Sequence, residues 1–323
     1  MNRIQEVHDG VYLVGSPNLT SPEDCCAYLV DLGNLVLIDA GAGKSISAIL
    51  ENVESLGFRS ENLSAVVATH CHFDHIGGIP KLKKKTGCQI IAHELDAGPM
   101  EKGDRIRTAS DWYNASFPPT RVDYKLNEVR EVLKFEKGEI LCLHTPGHTP
   151  GSISVILDRD GKRVLFGQDI HGPFAESFGS NLASWRKSME ILLGLKADIL
   201  CEGHFGVIKP EQEVEEYIKG YLRQNEGPAP RTHPRVHNHQ VDRPFGKVGI
   251  GIFQDKGSPQ DVPGRDLMGY IHNPAARIRA QDRAFHGARI FRLQPEIGDQ
   301  GHDPGSFIPL LLGHFGQEPS RGY

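Results

Sequence analysis

The segment Thr69-His70-Cys71-His72-Phe73-Asp74-His75-Ile76-Gly77-Gly78 places four side chains able to ligate a metal within six residues. It follows a short apolar run at 65–68 that reads as a strand. Past the strand end, His70 and His72 are spaced i and i+2 and project to one side of extended chain. Asp74 and His75 come one step later, where a turn can direct them to a second point nearby. Neutral imidazole together with carboxylate suits Zn²⁺ and related divalent ions. Three later residues complete a candidate set: His148 in His144-Thr145-Pro146-Gly147-His148-Thr149-Pro150-Gly151-Ser152, Asp169 in Phe166-Gly167-Gln168-Asp169, and His204 in Cys201-Glu202-Gly203-His204. Each lies beyond an expected strand and beside Gly or Pro, where the chain can turn inward.

The elements that must position these residues are legible as far as about residue 226. Short apolar or alternating runs bounded by turn residues predict strands over 11–14, 27–30, 35–39, 65–68, 89–92, 140–143, 152–157, 163–166 and 198–201. Helical spacing recurs at Ile46, Ile49, Leu50 and Val53 ahead of Gly57, at Leu182, Trp185, Met189 and Leu192, and at Val214, Tyr217, Ile218, Tyr221 and Leu222 after Pro210. Strands interspersed with helices predict a layered α/β domain over 1–226. Residues 227–323 are rich in Gly, Pro and Arg, lack Cys and show little periodicity beyond a possible helix at 275–293. The expectation for them is a disordered or poorly packed extension.

The ordered set of motifs resembles the metallo-β-lactamase superfamily over roughly residues 5–222. The His-x-His-x-Asp-His loop matches at 70–75, the later motifs match in order at His148, Asp169 and His204, and Leu37-Ile38-Asp39-Ala40-Gly41 is similar to the family's first motif. The resemblance implies a four-layer αββα sandwich with metals at one edge of the sheets. It implies one metal held by His70, His72 and His148, a second held by Asp74, His75 and His204, and Asp169 bridging the two. Asp39 would shape the site rather than bind metal. Three neutral histidines leave an open position for water, and a bridging carboxylate offsets repulsion between two dications roughly 3.5–4 Å apart.

The implied function is a binuclear, metal-dependent hydrolase, most simply with zinc and with Mn or Fe as alternatives. A metal-bound hydroxide would attack the carbonyl of a small ester, thioester or lactone, in the manner of glyoxalase II or a lactonase. Asp74 and Asp169 are the expected catalytic carboxylates, with Asp74 able to relay a proton. The alternative is a mononuclear-iron persulfide dioxygenase, a relative that uses fewer of the ligands. Hydrolysis of β-lactams is not expected, because those enzymes usually lack the complete Asp-His pair together with a bridging Asp. The basic residues that bind glutathione in glyoxalase II have no counterpart that the C-terminal part resembles.

Composition narrows the partners. The chain has 323 residues and a net charge of −5, and residues 1–224 carry 24 Lys and Arg against 31 Asp and Glu. That balance argues against a nucleic-acid partner, which needs a basic face. No apolar run approaches the roughly 20 residues of a membrane span, and Met1 leads almost directly into the first strand without the pattern of an export signal. A cytoplasmic protein acting on a small molecule, with six reduced cysteines, is the expectation. His144 reads as a supporting or packing residue and Cys71 as a packing residue. His171 could face substrate, Trp112, Tyr113 and Phe117 could wall the pocket, and Lys81, Lys83, Lys84 and Lys85 read as a solvated helix face.

Overall fold

A computed structural model describes residues 4–226. The extension at 227–323, including the possible helix at 275–293, lies outside the described residues. Seven strands form the first sheet in sequential order: β1 (Gln5–His8), β2 (Val11–Gly15), β3 (Ala27–Leu32), β4 (Asn34–Ile38), β5 (Leu63–Val67), β6 (Gln89–His93) and β7 (Tyr124–Leu126). Pairing is antiparallel from β1 to β4 and parallel from β4 to β7. The second sheet orders β13 (Gly206–Ile208), β12 (Ile199–Glu202), β11 (Lys162–Gln168), β10 (Ile153–Arg159), β9 (Gly138–His144) and β8 (Arg130–Phe135). It is antiparallel apart from the β11–β12 pair. Every expected strand is present, with ends shifted by a few residues.

Alternation along the strands decides the layers. In β4, Leu35 and Leu37 pack outward against helices while Val36 and Ile38 pack between the sheets. In β10, Ile153, Val155 and Leu157 face the inter-sheet core and Ile156 the opposite side. A strand covered on both faces has no polar face, which is why these segments read as apolar runs rather than as clean alternation. The outer face of the first sheet is covered by α1 (Ile46–Ser55), α3 (Ile79–Thr86) and α4 (Glu94–Lys102), through Ile49, Val53, Leu82 and Met100. That of the second is covered by α5 (Leu182–Gly194) and α6 (Glu211–Gln224), through Trp185, Met189, Val214 and Ile218. The αββα sandwich implied by the sequence is therefore the observed architecture. One further short helix, α2 (Phe73–Ile76), lies within the histidine-rich motif.

All six cysteines are buried and unpaired. No helix among the described residues is long and apolar enough to cross a membrane.

Candidate metal centre

Five of the seven candidate ligands lie just beyond the end of a strand, and the other two, Asp74 and His75, ride on α2. His70 and His72 follow β5, His148 follows β9, Asp169 follows β11 and His204 follows β12. The first loop is aimed by Asp39, which sits at the end of β4 in the left-handed region with φ 59°. Its Oδ1 accepts from the Thr69 amide at 2.8 Å and its Oδ2 from the Thr69 hydroxyl at 2.7 Å. The same Oδ2 lies 2.8 Å from His75 Nδ1, which turns His75 Nε2 toward the cluster. Thr69 Oγ1 holds His70 Nδ1 at 3.2 Å and turns the other nitrogen of that ring inward. His72 is still extended (φ −72°, ψ 146°) and caps α2, whose single turn carries Asp74 and His75. Two glycines follow because the Asp39–Gly43 segment presses on them: a Cβ on Gly78 would lie 2.1 Å from the Ala40 carbonyl oxygen.

Among the overlapping sets of ligand atoms, two correspond to the metal positions the resemblance implies, and a third, His70, His75 and Asp169, joins them. One ring nitrogen from each of His70, His72 and His148 lies within 4.8 Å of the others, with His72 Nδ1 and His148 Nε2 2.8 Å apart. Asp74, His75 and His204 form a second group within the same limit. Asp74 Oδ2 lies 3.1 Å from His204 Nε2 and 3.8 Å from His75 Nε2. Asp169 faces both groups. Its Oδ2 is 3.5 Å from His148 Nε2 and 3.3 Å from His204 Nε2, and its Oδ1 is 3.2 Å from His75 Nε2. Gly203 permits this approach, since a Cβ there would fall 2.2 Å from Asp169 Oδ1.

Electrostatics separates the groups further. Burial, reinforced by the neighbouring imidazoles, pushes His70 and His72 well below the usual histidine range, and burial lowers His148 to about 4. These three rings are neutral donors, the form in which imidazole binds metal. Burial also works against a charged His75 and His204, but nearby acidic groups, Cys25 and Asp169 foremost, raise His75, and Asp169 and Asp74 raise His204. Burial would raise Asp74, yet His75 and His204 hold it below the carboxylate range. The residues fit divalent cations: buried His70 Nε2 has no hydrogen-bond partner, and the carboxylates of Asp39, Asp74 and Asp169 are buried together. Buried charge of one sign needs compensation, and imidazole with carboxylate is a donor set for Zn²⁺-like ions.

Two buried carboxylates that the sequence did not single out hold the ligand loops. Asp96 on α4 accepts from the Cys71 amide at 2.9 Å, the Thr149 hydroxyl at 2.6 Å and the Gly151 amide at 2.8 Å, tying the first loop to the His148 turn. Glu202 Oε2 accepts from the amides of His204 (2.6 Å) and Phe205 (2.8 Å), and its Oε1 meets His171 Nδ1 at 2.9 Å. Glu202 stands two residues before a ligand, which is a signal of sorts. Asp96 stands in an ordinary helix and has none.

The remaining sequence candidates divide. Tyr113 packs on Phe73 with ring centroids 5.4 Å apart, and burial followed by the adjacent Asp74 carboxylate raises its pKa. Trp112 is 61% exposed and sits edge-on to Phe178, which in turn contacts the His72 ring. Phe117 instead fills the outer core of the first sheet, because it lies where the chain turns inward before β7. His144 stacks on His93 at 3.9 Å and contacts the Pro150 carbonyl at 2.8 Å, outside both ligand groups. Cys71 is buried with its thiol on the Arg107 carbonyl, and Lys81, Lys84 and Lys85 lie exposed on α3.

The sequence model of the metallo-β-lactamase superfamily matches residues 21–204, and the chain belongs to that superfamily. Among the relatives, the probable metallo-hydrolase MJ0888 of Methanocaldococcus jannaschii is 32% identical over 132 residues, 41% of this chain and 62% of that protein. The hydroxyacylglutathione hydrolase GloC of Haemophilus influenzae is 29% identical over 153 residues, covering 46% of this chain and 66% of the relative. The human acyl-coenzyme A thioesterase MBLAC2 is 28% identical over 157 residues, 42% of this chain and 53% of its own. A motif mutant of a metallo-β-lactamase from Cronobacter sakazakii superposes with a TM-score of 0.55 at 26% identity, covering 70% of this chain and 87% of the other. Members of the superfamily bind divalent metals, usually zinc, and the relatives named here are metal-dependent hydrolases of small molecules.

Proposed function

We propose that this chain is a binuclear metal-dependent hydrolase of a small ester, thioester or lactone. The observation that carries the reading is Asp169, whose Oδ2 lies 3.5 Å from His148 Nε2 in one donor group and 3.3 Å from His204 Nε2 in the other, while its Oδ1 lies 3.2 Å from His75 Nε2. In this reading His70, His72 and His148 hold one ion, Asp74, His75 and His204 hold the other, and Asp169 is shared. Ions so held would supply Lewis acidity for the carbonyl and lower the pKa of a water toward about 7. Asp39 keeps His75 Nε2 turned inward, and Asp74, beside His204 and at the edge of the cluster, is placed to take a proton at Oδ2. A thioesterase and a hydroxyacylglutathione hydrolase among the relatives support the carbonyl class of substrate.

The catalytic domain is residues 1–226, followed by the Gly/Pro/Arg-rich extension at 227–323, and the protein acts in the cytoplasm without a nucleic-acid partner. Metal content on protein purified without added metal is the test, followed by a panel of thioesters and lactones. About two zinc or manganese ions per chain with turnover of the panel is the expected result. One iron per chain, with oxygen uptake on a persulfide, would replace this reading with the dioxygenase.

A further inference from the structure

Arg107 is fixed at its backbone and open at its side chain. Its N–H donates to Asp104 Oδ1 at 3.0 Å, and its carbonyl accepts from the Cys71 thiol at 3.3 Å. The next carbonyl, that of Thr108, accepts from the Phe73 amide at 2.8 Å. The residue is therefore built onto the 70–75 ligand loop. Its side chain runs toward the other ligand turn. A Cβ on Gly179 would lie 3.0 Å from Pro150 Cγ and 3.1 Å from Arg107 Nη2, so the guanidinium and the Pro150 ring both press on that glycine. Pro150 stands two residues past His148, and Ser180 Oγ donates to the His148 carbonyl at 2.6 Å. Phe178, just before Gly179, meets the His72 ring at 4.5 Å and the 61% exposed Trp112 at 4.8 Å.

What the guanidinium lacks is an acceptor. Among the described residues no carboxylate pairs with it and none of its N–H groups makes a hydrogen bond, and its Nε is buried without a partner. Other arginines of the chain are satisfied. Arg105, two residues away, has Asp111 at 2.5 Å, and Arg159 donates to the carbonyls of Asp9 and Asp31 at 3.0 and 2.8 Å. A dry N–H with no acceptor is costly, and a guanidinium keeps its charge at any working pH. Its planar fork matches two oxygens of one carboxylate or phosphate. Because the backbone is already held, little ordering is left for binding to require.

We infer that Arg107 is a substrate-recognition residue that binds a carboxylate or phosphate group of the substrate beside the Phe178–Gly179 loop. This rests on the hydrolase reading above and narrows its substrates to carbonyl compounds that carry an anion away from the scissile bond.

The test is calorimetric binding to the full chain as purified, using three thioethers that cannot be hydrolysed. S-butylcoenzyme A carries phosphates, S-butylglutathione carries carboxylates, and S-butyl-N-acetylcysteamine carries neither. Wild type should bind at least one charged thioether about tenfold or more tighter than the neutral one, as a charge-assisted hydrogen bond allows, and the one preferred identifies the anion. Arg107→Gln should remove that preference while leaving neutral-ligand affinity, metal content and melting temperature as in wild type. Arg107→Lys, which keeps the charge and loses the fork, should restore part of it. Equal binding of all three by wild type overturns the inference. So does a preference that survives in Arg107→Gln, which would put the anion on the metal ions or elsewhere, or a variant that loses the neutral ligand equally, which would make Arg107 structural. The matching butyryl thioesters read hydrolysis separately. Selective binding without turnover of these, or of any ester or lactone, would remove the hydrolase reading and leave the anion contact standing.

Discussion

The two donor groups of this site differ in charge, burial and support. His70, His72 and His148 are buried, neutral and contain no carboxylate, and their loops are tied together from behind by Asp96. Asp74, His75 and His204 include a carboxylate, lie against the buried carboxylates of Asp39 and Asp169, and open toward solvent through His204. A neutral group confines an ion without cancelling its charge, which favours polarising what lies next to it. An acidic group cancels charge and suits holding an ion or receiving a proton. Asp169 reaches both, so its removal should damage two half-sites, whereas any other single ligand belongs to one.

The largest expected effect follows from that asymmetry. Asp169→Ala should lower bound metal from about two ions per chain to less than one and cut turnover by more than about a hundredfold, a loss exceeding that of any supporting residue. Metal analysis after gel filtration measures it; retention of both ions would separate Asp169 from the cluster's chemistry. Next, His204→Ala and His148→Ala should each cost one ion, but with different consequences. The His204 variant should release its ion more readily to a chelator and keep the more buried one, because its group is already partly open. Equal release from both variants would erase the distinction between the halves.

Asp39→Asn sharpens the comparison from outside the ligand set. The amide can keep the Thr69 contacts, but it no longer places a charge against His75 Nδ1. Metal affinity should fall by about 10–100-fold in the acidic group alone, as for other residues that orient a metal-ligating imidazole. A chelator titration with two resolved steps reads this directly, the weaker step moving and the tighter one staying.

How much of this was legible in the sequence depends on whether a residue acts through local spacing or through distant packing. The His70–His75 loop announces itself because extended chain and one helical turn convert spacing into direction, and the nine expected strands were visible because apolar runs must be buried in a four-layer fold. The short elements at the sheet margins were not: β1, β7, β8 and β13 are half exposed, so their apolar pattern is diluted. Asp96 was invisible because its three hydrogen-bond partners lie 25 to 55 positions away. Phe117 belongs to the outer core rather than a pocket wall, and an aromatic residue in an irregular stretch carries no sign in the sequence of which way its ring faces.

Asp96 gives the next expected effect. Burial raises its pKa despite three donors, and its loss would strand the amides of Cys71 and Gly151 and the hydroxyl of Thr149 in a dry interior. Asp96→Ala should destabilise the chelated protein by about 1–3 kcal/mol, and it should loosen the ion of the neutral group more than that of the acidic group. Denaturant titration and chelator release test the two halves of that statement independently.

The smallest effect is a pH dependence seated behind the neutral group. His93 accepts the Leu95 amide at the start of α4, the helix that carries Asp96, and stacks on His144 with an interplanar angle of 13°. Burial first, and His144 second, lower its pKa to about 4, against a slight opposing pull from Glu131. The folded protein thus prefers the neutral ring while the unfolded chain binds a proton below about 6.5. Stability contributed by this site is complete above 6.5 and is lost as pH falls through the interval down to 4. His70, His72 and His148 are also held uncharged by burial, so the informative quantity is the difference between wild type and His93→Gln. In the chelated state, the variant should lose less melting temperature than wild type between pH 7.5 and 4.5, by a few degrees. Parallel curves would mean that the acid sensitivity belongs to the ligand histidines and that His93 is only a cap.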